Sequence, residues 1–310
     1  FAEIGSRITR SGGAYAYIEE AFGPFAGFIA SMLLWFGWSA LSDAAITVAM
    51  VGALALAFPI LAEPVPRSIF IITLLSFLAA VNVIGVKAGV RLFVFNTMAK
   101  LIPLVLLLAF GIFAIKFENL AIMEWPPIAT VGGGAIILFF AFAGAESGLS
   151  ASGEIKNPSK TVPLGLLLGL TGILALYVGL QTVSQGVLGA ELANNMDAPL
   201  AAVATEVFGE WGAKMLLVGG VISIYATVSG DMLSAPRVVF ASARDNNLPK
   251  FLATVHPKCK TPYVSIIFFA AVVCVFALSG TFKPLAVLAS GSILIIYGGV
   301  SLAVLRLRHR

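Results

Sequence analysis

Long apolar stretches dominate this chain and constrain its fold more than any other feature. A hydrocarbon core about 30 Å thick needs roughly 20 apolar residues per helix, so each such stretch predicts one transmembrane helix. The eight predicted spans are about 22–58, 66–84, 89–115, 131–151, 162–189, 211–243, 262–280 and 284–305. The first and sixth of these spans are longer than an upright helix needs, so we expect them to tilt or to extend past the bilayer.

The composition excludes several classes of protein. Hydrophobic residues make up 59% of the 310 residues and charged residues 11%, with a mean hydropathy of +1.01. These values exclude a soluble globular protein, a disordered chain and a nucleic-acid-binding protein. The chain contains only two cysteines and two histidines, which are too few for a disulfide framework, redox chemistry or a histidine metal site. No cofactor is expected. The sequence predicts an all-α integral membrane protein whose first partner is the lipid bilayer.

The positive charges indicate how the chain is oriented. Of the 19 Lys and Arg residues, 15 fall in one alternating set of connections. Cytoplasmic loops carry an excess of Lys and Arg, so this set is predicted to be cytoplasmic, with both ends of the chain. The loop at about 190–210 is then external. The protein is expected in the cell (cytoplasmic or inner) membrane as a single multi-pass domain over 1–310, truncated at both ends. The other four Lys and Arg residues, which fall in the connections predicted to be external, are Arg67, Lys116, Lys214 and Lys283.

The span at 131–151 is the least regular of the eight. It contains three consecutive glycines at 132–134 and then the run FFAFAGAES at 139–147. Glycine frees the backbone, so the helix is expected to break where its amides and carbonyls face a cavity. Glu146 follows this weak stretch, and an intramembrane carboxylate is a functional candidate by default. The alternative is a glycine-rich packing face with Glu146 bonded to a neighbouring helix.

Three more charged residues lie within predicted spans. Asp43 is near the middle of the first span and Asp231 near the middle of the sixth, and both are candidates for a pathway or proton relay. A structural hydrogen bond is the alternative for each. Lys100 lies about three turns into its helix, where it either has a function or snorkels to the interface.

Three motifs occur in an order that resembles the amino acid–polyamine–organocation (APC) transporter superfamily. The segment SGGAYAYIEEAFGP, predicted to form an interfacial helix, resembles the stretch between that family's second and third helices. FFAFAGAES followed by GEIKNPSKTVP resembles its broken sixth helix and the next loop. APRVVFASARDNNLPKFLATVHPKCKTP resembles the end of its eighth helix and the loop after it. The resemblance covers essentially the whole chain, from the end of the family's second helix to the end of its tenth.

The resemblance implies a fold and a site. The family fold consists of two five-helix inverted repeats around a midplane site, and this chain would be a partial copy with eight complete helices and a broken sixth family helix. The family's first helix, which holds the substrate carboxylate, is absent from this sequence, and so are its last two. Matched residues place Phe140 at the aromatic gate. Ala143, Gly144 and Ala145 would form the unwound backbone that receives the substrate amino group.

Further roles follow from the same resemblance. Glu146 matches the acid after the break and would act in coupling or gating. Lys100 matches a lysine that occupies the position of a sodium ion in many sodium-independent members. Asp43, Asp231 and Ser290 align by spacing alone with substrate-facing positions.

The resulting prediction is a secondary active transporter for amino acids or related amines that works by alternating access. We expect coupling to protons or exchange, without sodium. Two ionised carboxylates, Asp43 and Asp231, would repel each other, so either a cationic substrate or a bound proton is expected between them. A membrane-embedded transferase and an ion channel are the alternatives, but neither clustered carboxylates nor a filter segment is visible. The sequence is compatible both with a homo-oligomer and with binding of an accessory subunit.

Overall fold

We analysed a computed structural model that describes residues 1–7, 13–84, 90–121, 125–144, 157–196, 198–244 and 247–308. Throughout this part of the chain the regular structure is helical, which confirms the predicted all-α class. The α-helices of this part of the chain are α1 (Ala2–Arg7), α2 (Gly13–Phe22), α3 (Pro24–Met32), α4 (Leu41–Ala57), α5 (Pro64–Ile84), α6 (Val90–Gly111), α7 (Ile128–Phe142), α8 (Pro158–Leu188), α9 (Pro199–Phe208), α10 (Glu210–Arg244), α11 (Tyr263–Ser279) and α12 (Phe282–Arg308).

Five helical segments within the described residues are long and apolar enough to cross a membrane. They occupy the first, second, fifth, sixth and eighth predicted spans. The other three predicted spans contain α6, which has 22 residues, and the shorter α7 and α11, which have 15 and 17 residues. The five segments are Pro24–Ala57, Pro64–Ile84, Lys160–Asn194, Glu210–Arg244 and Phe282–Arg308.

The first of these segments, Pro24–Ala57, changes helix type in its middle. Leu33–Ala40 forms a π-helix between α3 and α4, so the 34-residue segment is continuous but is not α-helical throughout. Gly37 lies in this π segment and packs closely on α12. A Cβ atom added to Gly37 would lie 2.4 Å from Ser292 Oγ, so this contact requires a residue without a side chain.

Helix α4 is the centre of the main hydrophobic cluster. It packs against α10, α11 and α12, and eight of its first eleven residues are buried. A sequence neighbour of each of three predicted site residues belongs to this cluster. Ala44 follows Asp43, Met232 follows Asp231, and Ala289 precedes Ser290. The fold therefore brings the start of α4 together with the interior of α10 and of α12.

Helix α2, which is predicted to be interfacial, buries one face against the bundle. Ala14, Tyr17, Ile18 and Ala21 are buried, and the helix packs against α3 and α12. The physical reason is a close helix contact: a Cβ atom added to Gly299 would lie 3.0 Å from Ile18 Cδ1. Helix α2 is thus part of the bundle.

The two ends of the chain lie at the same end of the bundle. The Arg308 guanidinium forms a two-pronged ion pair with the Glu3 carboxylate, with its Nε donating to Oε1 at 2.7 Å. This contact joins α1 to the last turn of α12. The described ends of the chain, near residues 3 and 308, are therefore held close together.

The contact between Gly37 and Ser292 generates a stability prediction. Gly37→Ala should destabilise the full-length protein by about 1–3 kcal/mol, because an extra methyl group in a tight contact forces its neighbours apart. The matched control is Gly132→Ala in α7, where an added Cβ would have nothing within 4 Å. Thermal unfolding of the purified proteins in detergent measures both changes. Equal melting temperatures for the two variants would contradict the packing argument.

Candidate functional site

Helix α7 ends inside the predicted break. The last α-helical residue is Phe142, and Ala143 is already extended, with φ −72° and ψ 150°. Gly144 follows with φ +108°, a conformation that L-amino acids rarely adopt. The resemblance placed the unwound backbone at Ala143, Gly144 and Ala145, and α7 stops just before the first of them. Ala145 and Glu146, the other two predicted residues of this segment, lie outside the described residues.

The end of α7 has a chemical character of its own. The last carbonyl groups of an α-helix have no intrahelical donors, and they carry the negative end of the helix dipole. Tyr177 of α8 donates its hydroxyl proton to the carbonyl of Ala141 at 3.3 Å, and its ring lies 5.3 Å from that of Phe142. This end of α7 is therefore suited to receive hydrogen-bond donors, including a substrate ammonium group.

Phe140 lies between two aromatic rings from other helices. Its ring centroid is 5.6 Å from that of Trp38 in the π segment and 6.1 Å from that of Phe282 at the start of α12. These separations are typical of favourable aromatic pairs. Sequence reasoning singled out Phe140 but missed Trp38 and Phe282, because nothing local to either residue indicates its partner.

The two predicted acids are on packed helices but in different surroundings. Asp43 of α4 is 1% exposed, whereas Asp231 of α10 is only partly buried. Helices α4 and α10 pack against each other, and the residues next to the two acids, Ala44 and Met232, belong to one buried cluster. Ser234, one turn after Asp231, has its hydroxyl 3.5 Å from the Asp231 Oδ1 atom. The structure thus brings these two acids into one interface.

Several buried polar atoms lack a hydrogen-bond partner among the described residues. They include both carboxylate oxygens of Asp43, the Thr47 hydroxyl one turn later and the Ser290 hydroxyl of α12. Ser290 is fully buried, like Thr47. Such atoms are normally paired with protein or ordered water, so they mark places where a ligand or water is needed. Thr47 was missed by sequence reasoning, although it lies one helical turn from Asp43.

Lys100 lies within α6, partly buried, in a helix that packs against α8, α9 and α10. It makes no hydrogen bond or ion pair with any residue that the structure describes. The described part of the chain also brings together no group of three His, Cys, Asp or Glu side chains that would hold a metal ion.

Comparison with known proteins extends these observations. The family model for amino acid permeases matches residues 1–310. The chain is 32% identical to the serine/threonine exchanger SteT of Bacillus subtilis, over 100% of this chain and 71% of SteT. It is 26% identical to the branched-chain amino acid permease BcaP of the same bacterium, over 92% of this chain and 64% of BcaP. The chain thus spans roughly two thirds of the length of these relatives.

The match is not confined to one motif. It runs through every described helix, from α1 to α12, and includes the end of α7. The relatives are a permease and an exchanger, so the protein is a transporter and the alternative of a membrane-embedded transferase is wrong. From its first residue to its last, this chain belongs to the amino acid permease family.

Proposed function

We propose that the full-length protein is a secondary active transporter that carries amino acids or related amines by alternating access. Coupling is to protons or by exchange of substrates, and sodium is not required. The observation that carries this proposal is the end of α7 at Ala143 and Gly144. A helix C-terminus with extended backbone binds an ammonium group through carbonyl oxygens and the helix dipole, as discontinuous helices of transporters do for their ligands.

The aromatic contact supports a gating role for Phe140. Its ring joins the end of α7 to the π segment through Trp38 and to α12 through Phe282. A movement of α7 relative to these helices would separate the rings and open a route past them. The proposed binding residues are therefore Phe140, Ala143 and Gly144, with Ala145 and Glu146 carried over from the sequence resemblance.

Both ends of the chain are proposed to be cytoplasmic. The charge distribution favours this orientation, since most Lys and Arg residues fall in one alternating set of connections. The ion pair between Glu3 and Arg308 supports it, because it holds the two ends on one side.

The side-chain preference has two candidates, each with its own support. The electrostatic contact between Asp43 and Asp231 favours a substrate with a cationic side chain, which would relieve the repulsion between two carboxylates. The relatives are named for serine and threonine and for branched-chain amino acids, which favours a neutral side chain. A proton on one carboxylate would make a neutral substrate compatible with both acids.

A backbone substitution tests the binding role of the α7 end. Gly144→Ala should weaken substrate binding, because the positive φ at this position strains an L-residue by about 1–2 kcal/mol. Gly133→Ala is the matched control, since Gly133 is helical and an added Cβ there would meet nothing within 4 Å. Substrate-induced stabilisation against heat measures binding without requiring transport. Unchanged binding in Gly144→Ala would remove the α7 end from the site.

Lys100 provides a test of sodium independence. Its ammonium group is proposed to occupy a cation position between helices, so uptake into proteoliposomes should be the same in sodium and in choline buffer. Lys100→Ala should abolish uptake while the protein still inserts and purifies normally. Uptake that depends on sodium in the wild type and ignores pH would contradict the proposal.

A competition assay decides the side-chain preference. Arginine, lysine, ornithine and short polyamines are compared with serine, alanine and leucine as competitors of labelled substrate. If cationic side chains are preferred, the first set competes and Asp231→Asn abolishes that preference. Strong competition by the neutral set alone, with the same order in Asp231→Asn, would show that Asp231 does not recognise the side chain.

A further inference from the structure

Asp43 is the most deeply buried acid that the structure describes in this protein. It is 1% exposed in the first turn of α4, and neither carboxylate oxygen has a hydrogen-bond partner among the described residues. Thr47 lies one turn further along, on the same helix face, and its buried hydroxyl is also without a partner. A carboxyl group and a hydroxyl group thus lie one helical turn apart in a buried, largely apolar interface.

The charges around Asp43 do not compensate a negative charge. Helix α10 contributes Asp231, whose charge is of the same sign and repels it. From α11, the Cys274 thiol packs against the cluster that surrounds α4, while α12 and α5 carry Lys283 and Arg67 in their first turns. Within the described residues, Asp43 has no ion pair with a cation. Burying an unpaired carboxylate is strongly unfavourable, so this packing stabilises the neutral acid.

Asp231 is in a different environment. It is partly exposed, and the hydroxyl of Ser234 lies 3.5 Å from its Oδ1 atom. When two neighbouring acids have environments this unequal, they take different roles, one holding a proton while the other stays ionised. The difference in burial therefore separates two residues that the sequence treated as equivalent.

We propose that Asp43 is the proton-binding residue of this transporter, with Thr47 as its hydroxyl partner, and that Asp231 is the ionised acid that faces the substrate. This assignment rests on the proposed transport function and deepens it. The carboxylate of Asp43 takes one proton from water on one side of the membrane and returns it to water on the other, with no covalent bond to substrate.

The positions of the two acids explain how protonation is linked to transport. Helices α4 and α10 correspond by resemblance to partner helices of the two repeats, and alternating access moves one repeat against the other. Such a movement changes both the distance between the carboxylates and the access of water to Asp43. Proton release from Asp43 is then favoured only when this movement lets water enter the interface from the other side of the membrane.

The test uses the full-length protein in proteoliposomes that enclose a pH-sensitive dye, with serine and arginine as the two probes. Substrate addition should acidify the lumen for wild type, and substrate-dependent proton entry should be lost in Asp43→Asn while counterflow of labelled substrate stays measurable. Thr47→Val should slow proton entry. Ser184→Ala is the matched control, because Ser184 is a buried hydroxyl of α8 that also lacks a partner in the described structure.

The outcomes separate this inference from the proposed function. Wild-type exchange of either probe without any proton movement would overturn the role of Asp43 and leave the transport function standing. Proton entry in Asp43→Asn at the wild-type ratio to substrate would do the same. If neither probe is transported, the proposed function fails for these substrates.

Infrared difference spectra test Asp43 directly, without transport. Wild type should show a protonated-carboxyl band that Asp43→Asn lacks and that Thr47→Val shifts. Absence of this band in wild type overturns the assignment.

Discussion

Within hydrocarbon, every backbone N–H and C=O group must find its partner inside the protein, and this requirement governs the chain from α1 to α12. Continuous helices meet it, which is why an apolar sequence of this length folds as a helical bundle. The end of α7 is where the requirement is not met by the helix alone. Ala143 is extended and Gly144 has a positive φ, so the last carbonyls of α7 need donors from elsewhere. Tyr177 supplies one of them, at Ala141, and a substrate ammonium group would supply another.

Helix α4 shows how the bundle accommodates polar groups. It packs against α10, α11 and α12, yet two of its buried residues, Asp43 and Thr47, are polar. A purely structural helix in this position would be expected to be apolar, because unpaired buried polar groups destabilise the fold. Their presence is consistent with a role that requires these groups to gain and lose partners during a transport cycle.

The sequence predicted the features that depend on local composition. Long apolar stretches predicted the helices, and glycine and alanine at 143–144 predicted the end of α7. Features that depend on contacts between distant residues were not accessible in the same way. Trp38 and Phe282 are separated from Phe140 by about a hundred residues or more in the sequence, and no local pattern pairs them. Tyr17 and Ile18 belong to the segment predicted to lie at the membrane interface, and packing on α12 buries both side chains. The unequal burial of Asp43 and Asp231 also depends on how neighbouring helices cover each of them.

The π segment at Leu33–Ala40 has a consequence for how chain length varies among relatives. Its hydrogen bonds run from residue i to residue i+5, so it accommodates an additional residue without forming a loop. A related chain with one residue fewer in this region is expected to form an ordinary α-helix, with the same side chains facing the core on both sides. A single-residue insertion or deletion within a buried membrane helix would normally move every following side chain to another face. The π segment would absorb such a change between α3 and α4 and leave Asp43 on a helix that packs against α10.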